Sequence, residues 1–224
     1  MDAQLNKKRL LCLLLDFKEV DSIMEKTELQ ANEDSLIEAL RPPSVMEDLT
    51  IWFYGGIVLP NWMTTLTRLQ ELKLAYCTNV EVLPPLGRLP NLESLVLSSL
   101  KVRRLDCGFL GINEGEIARV TAFPKLKKHW IWHLEEVEEW DGIERRVGEE
   151  DANTTSISIM PQLRELMILH CSLLRALPDY VLAAHLQELD ISICPNLRKR
   201  YGKEEMGEDW QKISHVPHIY FHDI

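Results

Sequence analysis

Three histidines near the C-terminus, His215, His218 and His222, have a spacing that suits metal ligation from one helical face. Pro217 interrupts that run and Ile219 to Phe221 reads as a strand, so no metal site is expected. Glu135, Glu136, Glu138 and Glu139 are of the type used for general acid–base chemistry. No pocket is implied around them, and a solvated acidic face is the expectation. His170 and Cys171 are the types needed for an activated thiolate, but neighbours on an extended chain face opposite ways. No serine has a strand–turn–helix elbow context. These residues point to no enzyme and to no cofactor.

The elements that carry them follow a repeat. Leu69-x-x-Leu72-x-Leu74-x-x-Cys77-x-x-Val80-x-x-Leu83 is one copy, and Leu92-x-x-Leu95-x-Leu97-x-x-Leu100-x-Val102 is the next. Leu163-x-x-Leu166-x-Ile168-x-x-Cys171-x-x-Leu174-x-x-Leu177 and Leu186-x-x-Leu189-x-Ile191-x-x-Cys194-x-x-Leu197 come later. Each pair is offset by 23 residues, within the roughly 20–29-residue period of leucine-rich repeats. Degenerate copies start at Leu10, Met46 and Leu126, giving seven in all; His129 stands where the last of these expects leucine. The longer gaps imply insertions at 19–43, 108–122 and 142–158. The first is predicted to hold a short helix over 33–40, capped by Asp34 or Ser35 and ended by Pro42-Pro43. The second and third are predicted as loops.

The predicted fold class is an α/β repeat, a leucine-rich-repeat solenoid over residues 1–200 with a cap over 201–224. One coil cannot bury its own apolar side, so coils must stack. Short parallel strands are expected on the concave face, with short helices and irregular chain on the convex side. The shared position of Cys77, Cys171 and Cys194 is read as a small buried group with its thiol near backbone carbonyls. In the cap, Trp210, Ile213, Val216, Ile219 and Phe221 are expected to cover the last coil. At the other end, Leu10 to Leu15 would be an apolar edge strand, which implies preceding repeats or a covering chain.

Composition narrows the partners. A formal net charge of -10 disfavours phosphate backbones, so no nucleic acid is expected. The longest apolar run, Leu10 to Leu15, is too short for a membrane span. Five cysteines without C-x-x-C pairs suggest a reducing, cytoplasmic setting. Asn153-Thr154-Thr155 matches a glycosylation sequon, a weak signal without an export segment.

The strand period predicts which side chains face outward on the sheet. They are Leu14 and Asp16, Thr50 and Trp52, Lys73 and Ala75, Val96 and Ser98, Trp130 and Trp132, Met167 and Leu169, and Asp190 and Ser192. Trp52, Lys73, Val96, Trp130, Trp132, Met167, Leu169 and Asp190 are the candidate partner-binding residues. Trp52, Trp130, Trp132, Met167 and Leu169 are expected as an exposed apolar column, a common mark of protein contacts. A one-residue slip around His129 would instead bury Trp130 and Trp132 and expose His129 and Ile131. The phase of Leu126, Leu134 and Val137 favours the first register.

Several segments resemble one family closely. They are Glu38-Ala39-Leu40-Arg41-Pro42-Pro43, Leu59-Pro60-Asn61-Trp62-Met63, Leu83-Pro84-Pro85-Leu86-Gly87-Arg88-Leu89-Pro90-Asn91-Leu92, Ala122-Phe123-Pro124-Lys125-Leu126, Glu138-Glu139-Trp140, Met160-Pro161-Gln162-Leu163, and Gly207-Glu208-Asp209-Trp210-Gln211-Lys212-Ile213-Ser214-His215-Val216-Pro217. With them the chain resembles the C-terminal half of the leucine-rich-repeat domain of coiled-coil-type plant NLR (nucleotide-binding leucine-rich-repeat) disease-resistance proteins. These 224 residues contain no G-x-x-x-x-G-K-[ST], so the family's ADP or ATP binding is not carried over. The resemblance implies a role in plant innate immunity. The implied partners are a pathogen effector or a guarded host protein, and the nucleotide-binding domain of the parent receptor. A protein-binding scaffold outside immunity is the alternative. Nothing in the sequence sets the oligomeric state.

Overall fold

The computed structural model describes residues 5–17, 26–112, 120–141, 157–203 and 207–222. After a single 3-10 turn at Leu5–Lys7, the chain forms β1 (Cys12–Asp16), α1 (Lys26–Ala39), β2 (Asp48–Trp52), β3 (Glu71–Ala75) and β4 (Ser94–Ser98). Then come β5 (Arg104–Leu105), α2 (Cys107–Leu110), β6 (Val120–Ala122), β7 (Lys128–Trp132), β8 (Glu139–Trp140) and β9 (Ile157–Ile159). The last elements are β10 (Glu165–Leu169), α3 (Asp179–Leu182), β11 (Glu188–Ser192), α4 (Pro195–Tyr201), α5 (Trp210–Ile213) and β12 (His218–Tyr220). Eight strands make one parallel sheet in the order β1-β2-β3-β4-β7-β10-β11-β12. Among the described residues no helix is long and apolar enough to cross a membrane.

The alternation in each strand decides its faces. Leu49, Leu72, Leu95, His129, Leu166 and Leu189 form one inward ladder, and Ile51, Leu74, Leu97, Ile131, Ile168 and Ile191 form the next. All twelve are buried. His129 and Ile131 therefore face the core and Trp130 and Trp132 the opposite side, which excludes the slipped register.

One residue after each long strand from β2 onward the chain turns inward at a left-handed position. Phe53, Tyr76, Ser99, His133, His170 and Ile193 have φ between 50° and 59°. Each donates its N–H to a carbonyl of the next coil, as Phe53 does to Ala75 at 3.1 Å and His133 to Leu169 at 2.9 Å. Left-handed backbone costs a non-glycine residue roughly 1 kcal/mol. This inter-coil bond and the burial of the next side chain offset it. Those next side chains include Tyr54, Cys77, Leu100, Leu134, Cys171 and Cys194. The three thiols each contact the carbonyl of the residue two before and one on the preceding coil. Cys194 Sγ lies 3.3 Å from the Ser192 oxygen and 3.6 Å from that of Ile168. Cys77 and Cys171 repeat the arrangement.

The insertions differ from the loops and short helix expected. Helix α1 begins seven residues before Glu33, so Asp34 and Ser35 lie inside it and do not cap it. Asp34 instead accepts from Tyr54 OH at 2.5 Å, and Glu33 accepts from Gly55 N–H at 2.7 Å. Trp62 Nε1–H donates to the Ile37 carbonyl at 3.0 Å, fixing the helix to the convex side. At the start of the second insertion the chain forms α2, which Asp106, just before it, caps by accepting from Phe109 N–H and which Gly111 ends at φ 69°. The far end of this insertion is β6, which pairs with β9 from the end of the third insertion. The sequon at Asn153 lies outside the described residues.

Past residue 200 the chain does not leave the sheet. β12 adds to β11, pairing Ile219 with Leu189, so the C-terminal stretch supplies an eighth strand as well as a cover. Ile213 and Val216 are buried; Trp210, Ile219 and Phe221 pack against the core at its end. Asp209 ties the segment down through Arg200 at 2.5 Å and Lys212 at 2.8 Å, and these cations hold its carboxyl below the usual range.

Candidate interaction surface

The seven long strands lay their outward side chains in three ladders. The middle one reads Leu14, Thr50, Lys73, Val96, Trp130, Met167 and Asp190. On one side of it run Asp16, Trp52, Ala75, Ser98, Trp132, Leu169 and Ser192; on the other run Cys12, Asp48, Glu71, Ser94, Lys128, Glu165 and Glu188. All eight candidate residues thus share one face.

Their exposure is less than expected. Trp52, Lys73, Trp130, Trp132, Met167, Leu169 and Asp190 are half-buried, and Val96 is only 8% exposed. Ala75, Ser98 and Ser192 are buried as well. The reason is lateral crowding: strands about 4.8 Å apart place large side chains over small neighbours. Val96 sits between Lys73 and Trp130 in its ladder. The column is therefore a packed apolar floor and not a set of free side chains.

Aromatic pairing orders that floor. Trp130 and Trp132 stack at 5.5 Å between ring centroids, 14° from parallel. Lys73 Nζ lies 5.6 Å from the Trp52 ring centre, close enough for a cation–π contact. The indole nitrogens of Trp52 and Trp132 are shielded from solvent and meet no acceptor among the described residues. A hollow of ≈ 440 Å³ opens on this face, with Asp48, Glu71, Lys73, Val96, Trp130 and Trp132 in its wall.

The left-handed positions form a second aromatic row along the rim, which the strand period does not predict. Phe53 and Tyr76 stack at 5.0 Å, and His133 and His170 at 4.3 Å. Phe53 is 37% and Tyr76 51% exposed. The available signal was positional: each of these residues directly follows a strand in its copy of the repeat.

The other reactive residues do not assemble. Glu136, Glu138 and Glu139 are held in ion pairs by Arg103, Arg175 and Arg104, so the acidic run is part of a charge lattice between coils. His218 lies in β12 and His222 stacks on Tyr220. Cys171 is buried and His170 half-buried on the rim. Among the described residues no three side chains of ligating type come together for a metal.

Comparison with known proteins finds these features in others. A family model described as R13L1/DRL21 LRRs matches residues 1–100. Disease resistance protein RGA2 of Solanum bulbocastanum is 29% identical over 192 residues, covering 84% of this chain and 18% of that protein. Putative disease resistance protein RGA1 of the same species is 35% identical over 102 residues, covering 45% of this chain and 10% of that one. Disease resistance RPP8-like protein 3 of Arabidopsis thaliana is 32% identical over 137 residues, 59% of this chain and 13% of its own length. The chain thus spans less than a fifth of the length of these relatives. Among solved structures, the leucine-rich repeat domain of the type III effector XopL superposes with a TM-score of 0.51 at 18% identity. That match covers 94% of this chain and 76% of that domain, and it supports the fold. The 23-residue period, the eight-stranded parallel sheet and these matches agree: the chain is a leucine-rich-repeat solenoid similar to the leucine-rich-repeat regions of plant disease-resistance proteins.

Proposed function

We propose that this chain is the protein-recognition and regulatory module of a plant immune receptor, working in the cytoplasm without catalysis of its own. In this reading it senses a pathogen effector or a guarded host protein on the outward face of the sheet. It also restrains a nucleotide-binding domain of the parent receptor, and a ligand that favours the released arrangement shifts the balance. The observation that carries the reading is the half-buried floor of Trp130, Trp132, Met167 and Leu169 on the two adjoining strands β7 and β10. Aromatic side chains already packed on a rigid sheet lose little freedom on binding, which makes them effective anchors. The five free cysteines suit a reducing compartment.

The test pairs binding with folding. A double variant, Trp130→Ser and Trp132→Ser, is co-expressed with the nucleotide-binding domain of a resistance protein of this family, and co-purification is measured beside thermal unfolding. The expected result is retained cooperative unfolding with at least about tenfold weaker association. Full association by the folded double variant would remove the outward face from the recognition role.

A further inference from the structure

The outward face is charged as well as aromatic. Its ladders over β1–β4, β7, β10 and β11 hold six carboxylates, Asp16, Asp48, Glu71, Glu165, Glu188 and Asp190, against the ammonium groups of Lys73 and Lys128. The positive side is further spent inside the face. Lys128 is bound by Glu165 at 2.9 Å, and Lys73 rests over the Trp52 ring. Among the described residues, Asp48, Glu71 and Glu188 have no ion-pair partner. The face therefore presents an acidic edge beside an aromatic floor.

Its dimensions set the size of what would complement it. Glu71 on β3 and Glu188 on β11 are separated by four strand steps, roughly 19 Å at about 4.8 Å per step. An extended chain advancing about 3.3 Å per residue covers that span in roughly six residues. Strand β7 lies midway along the path, with Lys128 in the ladder of the two glutamates and Trp130 in the ladder beside it.

Resting on the proposed recognition role, we infer that the outward face takes an extended basic segment of a partner protein, about six residues long. Arginine or lysine side chains at its ends meet Glu71 with Asp48 and Glu188 with Asp190. Apolar side chains at its middle lie on the Trp130–Trp132 stack. Charge of the opposite sign at both ends fixes the segment's position and speeds encounter, while the indoles supply the apolar contact. An acidic segment of equal length meets like charge at both ends and is rejected.

Two synthetic hexapeptides test this with the full chain, Arg-Gly-Leu-Leu-Gly-Arg and Glu-Gly-Leu-Leu-Gly-Glu, each acetylated and amidated. Binding is read by titration calorimetry and by tryptophan fluorescence at low and high salt. The arginine peptide is expected to bind at least about tenfold more tightly than the glutamate peptide, and to weaken as salt screens the ends. The double variant Glu71→Gln, Glu188→Gln is expected to lower its affinity about tenfold, whereas Glu135→Gln, exposed and off the sheet, leaves it unchanged. Equal binding of both peptides, or no effect of the double variant, overturns the inference. The carboxylate variant is also tested for association with the nucleotide-binding domain beside the tryptophan variant. Loss in the tryptophan variant alone refutes the basic segment and leaves the recognition face standing. Loss in neither refutes both.

Discussion

The main chain of Leu110 comes so close to Gly87 that a Cβ on Gly87 would lie 2.1 Å from the Leu110 carbonyl oxygen. Gly87 follows Pro84-Pro85 in a short 3-10 turn, Leu86–Arg88, and its own carbonyl accepts from Phe123 N–H at 2.7 Å. The turn, the end of α2 and β6 thus converge on one residue. Glycine is needed here for space between backbones, because a backbone carbonyl cannot rotate away as a side chain does.

Gly87→Ala should therefore lower stability by about 1–3 kcal/mol, the usual cost of forcing atoms into a packed site. Urea unfolding followed by far-ultraviolet circular dichroism gives the number. A variant with an unchanged midpoint would mean that α2 shifts freely, contrary to the packing of Phe109 and Leu110.

His129 replaces a core leucine and is fully buried. Its Nδ1–H donates to the Leu95 carbonyl at 3.2 Å, while Nε2 has no partner among the described residues. Burial pushes its pKa down from 6.5 to about 4, and the Leu95 contact opposes this only in part. Unfolded chain takes up the proton first as pH falls, so this group's contribution to stability is complete above pH 6.5. It is lost progressively between about 6.5 and 4, by on the order of 3 kcal/mol. His129→Leu should flatten the stability profile in that window, measured by urea midpoints at stepped pH. An identical acid-side slope in the variant would assign the loss to other groups.

Tyr54 joins α1 to the solenoid, donating its hydroxyl to Asp34 with the Val58 carbonyl 3.1 Å from the same oxygen. Burial, with Asp34 beside it, raises the phenol pKa well above its usual value, so the group stays a donor at any physiological pH. Tyr54→Phe leaves the Asp34 end of the helix without this tie and should cost about 1–2 kcal/mol. Amide hydrogen exchange should quicken in residues 33–40 while the strands keep their protection. Unchanged exchange there would show that Trp62 and Glu33 hold the helix without the tyrosine.

The architecture was legible in the sequence because the inward residues of each strand announce themselves two apart, within a 23-residue period. Leu72 and Leu74, or Leu166 and Ile168, fix the face of their strand without reference to any other. His129 keeps its phase because Ile131, Leu134 and Val137 around it are aliphatic. Local periodicity also assigns Trp130 and Trp132 to the outer face.

Properties that belong to pairs of coils were beyond that reach. Val96 is covered because lysine and tryptophan flank it one strand away, Phe53 meets Tyr76 because both turn left-handed at equal distance from stacked strands, and Glu138 finds Arg175 37 residues along. Likewise β6 and β9 become strands only by pairing with each other, and β12 by pairing with β11. A strand of three residues has too few side chains to declare a period, and its hydrogen bonds are made with a partner distant in sequence. The sequence alone determined which way each coil faces; the stacking of coils decided what each side chain touches, since the neighbour about 4.8 Å away comes from another repeat.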